Sequence, residues 1–135
     1  MALSAAEIAY LGTQRLGRLA TARPDGTLQN SPVGFFYNVA LDTIDIGGRD
    51  MAASRKYRNV AANGRVAFVV DDLASVQPWV VRCLEIRGVA EALEEPGDSA
   101  VRFGGPIIRI HPRRIISWGI DPPELARGRR TVGQS

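Results

Sequence analysis

Residues 44–60 carry the strongest combination of local signals in this chain, and they read Ile44-Asp45-Ile46-Gly47-Gly48-Arg49-Asp50-Met51-Ala52-Ala53-Ser54-Arg55-Lys56-Tyr57-Arg58-Asn59-Val60. Gly47 and Gly48 permit an abrupt change of direction between a short strand pattern and a helical pattern. Ser54, Arg55 and Lys56 fall in the first turns of the predicted helix, where free backbone N–H groups, a hydroxyl and two cations can together bind a phosphate. The segment therefore predicts a strand, a glycine break and a helix that begins at an anion site.

The spacing within this helix leaves two interpretations open. Asn59 lies three residues after Lys56 and four after Arg55, so both cations share a helix face with the amide. They could converge on one ligand. A solvated helix face with Val60 as its buried residue accounts for the same spacing equally well.

The residues before this segment predict a short helix and a β-hairpin. Ser4 and Glu7 have the spacing of a capping box, so we expect a helix over about residues 4–13. Turn-forming residues then separate two strand-like runs. The predicted arms are residues 16–23 and 28–39, joined by a turn at residues 24–27. Pro32 cannot donate to a strand ladder and therefore predicts an edge or a bulge.

The residues after the glycine break predict one helix and several further strands. Asn63-Gly64 is a good terminator for the helix predicted from about residue 52 to residue 62. The remaining expected elements are strands over 66–70 and 80–92, a short helix over 99–103, and a closing pair of strands over 107–110 and 113–120. Residues 1–120 are thus expected to form one domain, and residues 121–135 a tail that is mobile or lies over a partner subunit.

Composition places the chain among ordinary globular proteins. Its 135 residues suit a single domain, and no apolar run approaches the roughly 20 residues of a membrane span. The N-terminus lacks the pattern of a secretory signal, so we expect a cytoplasmic location without a membrane partner. Of the 17 basic residues 16 are arginine, which suits phosphate or carboxylate contacts, although coding bias accounts for this as well.

Several kinds of chemistry are excluded or disfavoured. Neither a phosphate-binding loop of the Walker type nor a Gly-x-Gly-x-x-Gly motif occurs. His111 is the only histidine, so a multi-histidine metal site and a Ser-His-Asp triad are impossible, and we expect it at a turn. Asp71 and Asp72 are expected at a solvated strand end, and Cys83 in the core. The basic cluster at residues 127–130 is too short to indicate nucleic-acid binding.

The order of these motifs resembles pyridoxamine 5′-phosphate oxidase-like proteins. The motifs are an N-terminal helix, Leu-Ala-Thr-Ala-Arg-Pro-Asp-Gly at 19–26, Ser-Pro-Val at 31–33, Gly-Gly at 47–48, Ser-Arg-Lys-x-x-Asn-Val at 54–60 and Arg-Val-Ala-Phe-Val-Val-Asp-Asp at 65–72. The closing Ile-Ile-Ser-Trp-Gly-Ile at 115–120 resembles the actinobacterial deazaflavin-dependent branch of that superfamily. The resemblance covers about residues 4–120.

This resemblance implies a mainly β fold with short helices, the FMN-binding split β-barrel, assembled as a homodimer with two cofactor sites at the interface. The cofactor phosphate would be held by Ser54, Arg55, Lys56 and Asn59, with Arg49 as a further contact. The residues expected to back the ring system or lie close to it are Gln29, Ser31, Pro32, Val33, Gly47 and Gly48. Trp79 is expected either near the ring of the neighbouring subunit's cofactor or in ordinary packing, and Trp118 in the core.

The implied activity is hydride transfer from reduced coenzyme F420 to a small conjugated acceptor such as a quinone, an enone or a tetrapyrrole. The cofactor carries the chemistry, so a dedicated catalytic side chain is not expected. FMN is the alternative cofactor, and a non-catalytic binding or storage protein is the alternative function. The chain lacks a C-terminal Arg-x-His pattern, so oxidation of pyridoxamine phosphate itself is not expected.

Overall fold

The computed structural model describes residues 1–97, 104–121 and 128–133. The helices in these ranges are α1 (Ala5–Gly12) and α2 (Arg55–Asn63), with a 3-10 turn (Met51–Ala53) before α2. The strands are β1 (Leu16–Ala22), β2 (Leu28–Gly34), β3 (Phe36–Asn38), β4 (Thr43–Ile46), β5 (Arg65–Ser75), β6 (Val80–Leu93), β7 (Ile107–Trp118) and β8 (Arg129–Thr131). The expected helix at 99–103 lies outside the described residues.

The strands form one antiparallel sheet that curls into a half-open barrel, which confirms the predicted fold class. Their order is β2-β1-β5-β6-β7-β4-β3, and β8 also pairs with β7. Strands β4 and β8 share one edge of β7: β4 pairs with residues 108–110 and β8 with residues 114–116. Helix α2 packs against β1 and β6, and hydrogen bonds from Asn59 and Asn63 join it to the first hairpin.

Local signals account for the elements at the N-terminus. The capping box forms as predicted, because the Ser4 hydroxyl accepts from the N–H of Glu7 at 3.1 Å and Glu7 accepts from the N–H of Ser4 at 2.8 Å. The hairpin turn places Gly26 at φ 89°, in the left-handed region that glycine adopts readily. Pro32 lies on β2, which ends the sheet order, so the predicted edge position is confirmed.

Two carboxylates lie inside the barrel, each paired with an arginine distant in sequence. Glu7 accepts from Arg130 and from the Ser117 hydroxyl at 2.7 Å, and Asp45 accepts from Nε and Nη2 of Arg109 at 3.0 Å each. Burial opposes the charged form of Glu7, but these hydrogen bonds outweigh it and lower its pKa. The pairing with Arg130 fastens β8, so part of the expected tail belongs to the barrel.

The closing pair of strands predicted at 107–110 and 113–120 is wrong, because β7 runs through both. His111 and Pro112 lie within β7 at a bulge, where the register with β6 shifts between Arg87 and Gly88. A Cβ on Gly88 would lie 2.4 Å from the His111 carbonyl oxygen, so glycine permits the close approach at this bulge. His111 Nε2 hydrogen-bonds Glu91 on β6 at 2.6 Å, and the turn expected at His111 does not form.

Strand β5 continues past the predicted end at residue 70, which changes the interpretation of two aspartates. Asp71 forms an ion pair with Arg18, and Asp72 accepts from Nε of Arg82 at 2.9 Å. They are strand residues with ionic partners rather than a solvated strand end. Cys83 is buried as predicted.

Two further element boundaries and the position of one tryptophan differ from the prediction. The second hairpin arm breaks at Phe35, which turns its ring into the core and packs edge-on against Phe68 with ring centroids 5.3 Å apart. Helix α2 begins at Arg55 rather than near residue 52. Trp118 is 52% exposed in the single chain, so its predicted core position is wrong. No helix in the described ranges is long and apolar enough to cross a bilayer.

Candidate functional site

The start of α2 is built by Ser54. Its hydroxyl accepts from the N–H of Tyr57 at 3.2 Å and donates to the carbonyl of Met51 at 2.6 Å. The N-cap satisfies the N–H of Tyr57, and the N–H groups of Arg55 and Lys56 remain without intrahelical partners, which favours an anion there. The structure therefore assigns the Ser54 side chain to capping and leaves the backbone and the cations for a phosphate.

Cations from two elements meet beside this helix start. Arg55 and Lys56 occupy the first turn of α2, and both are half-buried. The guanidinium groups of Arg58 and Arg23 lower the pKa of Arg55, which places three like charges near one another. Among the described residues, none of these four cations forms an ion pair. The result is an electropositive corner, which we define as Arg23, Arg55 and Arg58, and Lys56 follows Arg55 in the same turn of α2.

The side chain of Asn59 points into the protein and away from this corner. Its side chain is 1% exposed, and Nδ2 donates to Thr21 Oγ1 at 3.0 Å and to Gln29 Oε1 at 3.4 Å. Thr21 and Gln29 are direct partners across the β1–β2 ladder, so the hairpin presents both to the helix. The structure thus brings together Asn59 and Gln29 from the predicted site, and adds Thr21.

The pairing of β2 with β1 shows that the predicted ring-binding residues of β2 lie on both of its faces. Ser31 pairs with Leu19 and Val33 with Gly17, so both share the inner face with Gln29. Pro32 alternates to the outer face and is exposed. It therefore does not line the same surface as Ser31 and Val33.

Two buried polar atoms of this inner face have no hydrogen-bond partner. They are Ser31 Oγ and Asn59 Oδ1. Buried polar atoms in native structures are nearly always satisfied, so such exceptions require an explanation. Both belong to residues that the sequence singled out for ligand binding. Both atoms lie below the surface of the single chain, so they belong to the polar contact between α2 and the hairpin.

The glycine break lies to one side of this cluster. Gly48 and Arg49 line a separate recess of about 440 Å³ that also includes Met51 and Gly105. Gly47 is half-buried at the end of β4. Within the described ranges, no hydrogen bond joins Arg49 to the Asn59 cluster, and the expectation that Arg49 contacts the phosphate or the tail of the cofactor stays a prediction.

Trp79 lies at the tip of the β5–β6 hairpin and is 67% exposed. Val76 and Val80 beside it are also exposed, so the tip forms a small apolar projection. Projections of this kind are typical of contact sites for another molecule. Packing within its own subunit does not account for Trp79.

Comparisons with known proteins show the family to which this fold belongs. Residues 4–118 match the family model described as pyridoxamine 5′-phosphate oxidase. The chain belongs to this family. It is 51% identical over 116 residues to the 5a,11a-dehydrotetracycline/5a,11a-dehydrooxytetracycline reductase of Streptomyces rimosus, which covers 85% of this chain and 82% of that protein. With half of the aligned residues shared with a reductase, this member of the family is an oxidoreductase.

Two solved structures share the fold. A FAD binding protein from Mycobacterium smegmatis aligns with a TM-score of 0.66 and 24% identity, covering 86% of this chain and 94% of the other. A conserved hypothetical protein from Mycobacterium tuberculosis aligns with a TM-score of 0.68 and 26% identity, covering 98% and 94%. The family resemblance drawn from the sequence is confirmed.

Sequence reasoning missed three residues of the site in this family member. Thr21 could have been found from the hairpin register, which places it opposite Gln29. Arg58 lies one helical turn after Arg55, so helical spacing could have added it to the cations. Arg23 carried no local signal, because its approach to α2 depends on how the helix packs on β1.

Proposed function

We propose that this protein is a deazaflavin-dependent reductase, which uses reduced coenzyme F420 to reduce a conjugated carbon–carbon double bond of a polycyclic enone. The observation that carries the proposal is the electropositive corner beside the start of α2, whose cations form no ion pair within the described ranges. The N–H groups of the first turn of α2 lie beside these cations, and those of Arg55 and Lys56 have no intrahelical partner. A cofactor with a phosphate group would satisfy both.

The residues present fit the ribityl phosphate chain that flavins and deazaflavins share. Arg55, Lys56 and the free N–H groups of the α2 start suit the phosphate. The amide of Gln29, half-buried on the inner face of β2, suits the hydroxyl groups of a ribityl chain because it can both donate and accept. Val33 supplies an apolar wall further along the same face of β2.

When bound, the reduced cofactor supplies the hydride. The protein's own residues bind its anionic chain, fix its ring against the inner face of β2 and keep water away from the apolar wall. Positioning of this kind supplies a large part of the rate enhancement in such reactions. We assign no side chain to acid or base catalysis.

The proposed assembly is a homodimer in which Trp79 completes the partner's site. The exposed hairpin tip that carries Trp79 supports this arrangement, because a large aromatic group that makes little contact with its own subunit is suited to stacking on a neighbouring ring. Trp118, exposed on the outer face of the sheet, is available for contact between the subunits.

The acceptor class follows from the reductase of Streptomyces rimosus, whose substrates are dehydrotetracyclines. An identity of 51% over most of both chains supports a related planar, conjugated acceptor here. FMN is the second candidate cofactor, since the same contacts would hold its phosphate and ribityl chain. The flavin-binding structural relative favours keeping this alternative.

Titration of the purified protein with coenzyme F420 and with FMN, followed by cofactor fluorescence, tests the proposal. We expect tighter binding of F420, and an affinity loss of about tenfold or more in Lys56→Ala because one charge-assisted contact is removed. Arg65→Ala, which removes an exposed cation on β5, is the matched control. Binding of FMN alone would replace the cofactor assignment, and binding without reduction of any conjugated acceptor would indicate a carrier.

A further inference from the structure

A recess of about 310 Å³ lies between α1 and the segment that runs through β3. Its walls are mostly aliphatic and aromatic. Among the lining residues are Ile8, Leu11, Gly12, Phe35, Tyr37 and Val39. In the part of the chain that the structure describes, the recess beside the glycine break has no aromatic side chain in its lining. A concave site of this size with hydrophobic and aromatic walls is typical of small-molecule binding.

Helix α1 forms one wall of the recess and is anchored by contacts outside it. The hydroxyl of Tyr10 donates to Asp72 Oδ1 on β5 at 2.9 Å, and the Ser117 hydroxyl on β7 donates to Glu7 at 2.7 Å. Leu11, which is 3% exposed, belongs to the core and also lines the recess. Because these contacts join α1 to two strands of the barrel, this wall is held in place without a ligand.

The opposite wall is held by Phe35 and Tyr37. Phe35 packs edge-on against Phe68, and the Tyr37 hydroxyl donates to Asp42 Oδ1 at 2.5 Å. The second oxygen of Asp42 accepts from the backbone N–H of Ala2 at 2.7 Å, so Asp42 joins the β3 side of the recess to the chain that leads into α1. Asp42 does so at φ 58°, a conformation that persists in residues other than glycine where the surroundings enforce it. The recess is therefore preformed in the single chain.

The recess begins where β2 ends. At one end of this strand Gln29 accepts from Asn59 of α2, and Phe35 directly follows Gly34 at the other end. Gln29 and Gly34 are five residues apart, which is about 17 Å at the rise of a β-strand. A cofactor with its phosphate at the start of α2 and its ring along β2 would point that ring towards the recess. An acceptor must lie against the ring to receive a hydride.

We propose that the recess between α1 and β3 binds the acceptor, a planar conjugated polycyclic molecule, by one end of its ring system. The inference rests on the proposed function and adds a substrate site to it. Flat rings suit walls formed by Phe35 and Tyr37, because aromatic groups pack on one another with specific geometry and bury a large area. The phenol oxygen of Tyr37, whose hydrogen is donated to Asp42, can accept from a hydroxyl group on the ring system. The reductase of Streptomyces rimosus, whose substrates are dehydrotetracyclines, supports this class of acceptor.

The recess can be blocked without disturbing the core. A Cβ added to Gly12, the last residue of α1, would meet no atom of another element within 4 Å, and Val39 at the rim is 69% exposed. Gly12→Leu therefore fills the recess, and Val39→Asp places a charge at its rim. The matched controls are Ala9→Leu on α1 and Leu41→Asp after Val39. Both control positions are exposed, and neither is among the residues that line the recess in the described chain.

Two measurements report on the recess. Isothermal titration calorimetry with tetracycline, in the presence and absence of coenzyme F420, gives the Kd of the ring system. Steady-state kinetics with 5a,11a-dehydrotetracycline and the cofactor that the wild type binds give the acceptor KM. We expect Gly12→Leu to raise both constants by about tenfold or more, and Val39→Asp to raise them by about three- to tenfold. The control variants, and the affinity of every variant for the cofactor, should change by less than about twofold.

Unchanged Kd and KM in both recess variants would overturn the inference and leave the proposed function standing. Failure of the wild type to bind tetracycline, with or without cofactor, would overturn the inference too. A changed oligomeric state of the recess variants in size-exclusion chromatography, with normal tetracycline binding, would show that a second copy of the chain fills the recess and would also overturn it. A wild type that binds tetracycline at the recess and binds neither F420 nor FMN would contradict the proposed function while supporting the site.

Discussion

Asn59 and Thr21 form the buried polar pair that joins α2 to the hairpin. Replacing both residues tests whether this pair serves ligand binding separately from folding. Asn59 is 1% exposed and Thr21 is 2% exposed, and they are joined by one hydrogen bond of 3.0 Å. Asn59→Leu alone would leave the Thr21 hydroxyl buried without a partner, which costs about 1–3 kcal/mol of unfolding free energy. Adding Thr21→Val removes that hydroxyl with little change of shape. The Asn59→Leu substitution also removes Asn59 Oδ1. This atom has no hydrogen-bond partner in the wild type, so its loss breaks no hydrogen bond.

We therefore expect the double variant to unfold within about 1 kcal/mol of the wild type, because replacing both partners of a buried hydrogen bond by apolar groups is nearly neutral. Its affinity for the cofactor should fall by at least about tenfold. Urea unfolding gives the first quantity and fluorescence titration the second. Asn63→Ala, which removes a contact of the same helix to β1, should cost about 1 kcal/mol of stability and leave affinity unchanged. A double variant destabilised by more than about 3 kcal/mol, or one that binds normally, would refute the reasoning.

Two further predictions concern the ion pair between Glu7 and Arg130, which holds β8 in place. Arg130→Ala leaves a fully buried carboxylate without its cation and should lower the unfolding free energy by about 3 kcal/mol, whereas Arg129→Ala on the same strand should change it little in urea titrations. Because the pKa of Glu7 is lowered on folding, its contribution is present above the pKa of an unfolded glutamate and is lost as pH falls from about 5 through the folded value. Unfolding measured against pH should therefore show a shallower acid decline in Glu7→Gln than in the wild type, and an identical decline would contradict this.

Elements with local determinants could be predicted from the sequence. The capping box of α1, the hairpin turn at Gly26 and the terminator at Gly64 all depend on residues within a few positions of one another. The proposed anion site at the start of α2 has the same local character, since Ser54, Arg55 and the free N–H groups lie in one turn.

Features that depend on distant residues could not be predicted in this way. His111-Pro112 read as a turn because the bulge that accommodates the proline requires Gly88 on the neighbouring strand. Strand β8 was expected within a tail that is mobile or lies over a partner subunit. Its place in the barrel depends on the pairing of Arg130 with Glu7, 123 residues away, which no local pattern reveals. The packing of α2 on β1 likewise decides that Asn59 turns inward and that Arg23 joins the cations.

Transfer of deuterium tests the central claim most directly. The protein is mixed with reduced coenzyme F420 that carries deuterium at both C5 positions and with a dehydrotetracycline, and the product is analysed by mass spectrometry. The account predicts a reduced product that contains one deuterium per molecule, with oxidation of one cofactor for each acceptor reduced. An acceptor that stays unreduced with F420 and is reduced when FMN is the hydride donor would contradict it.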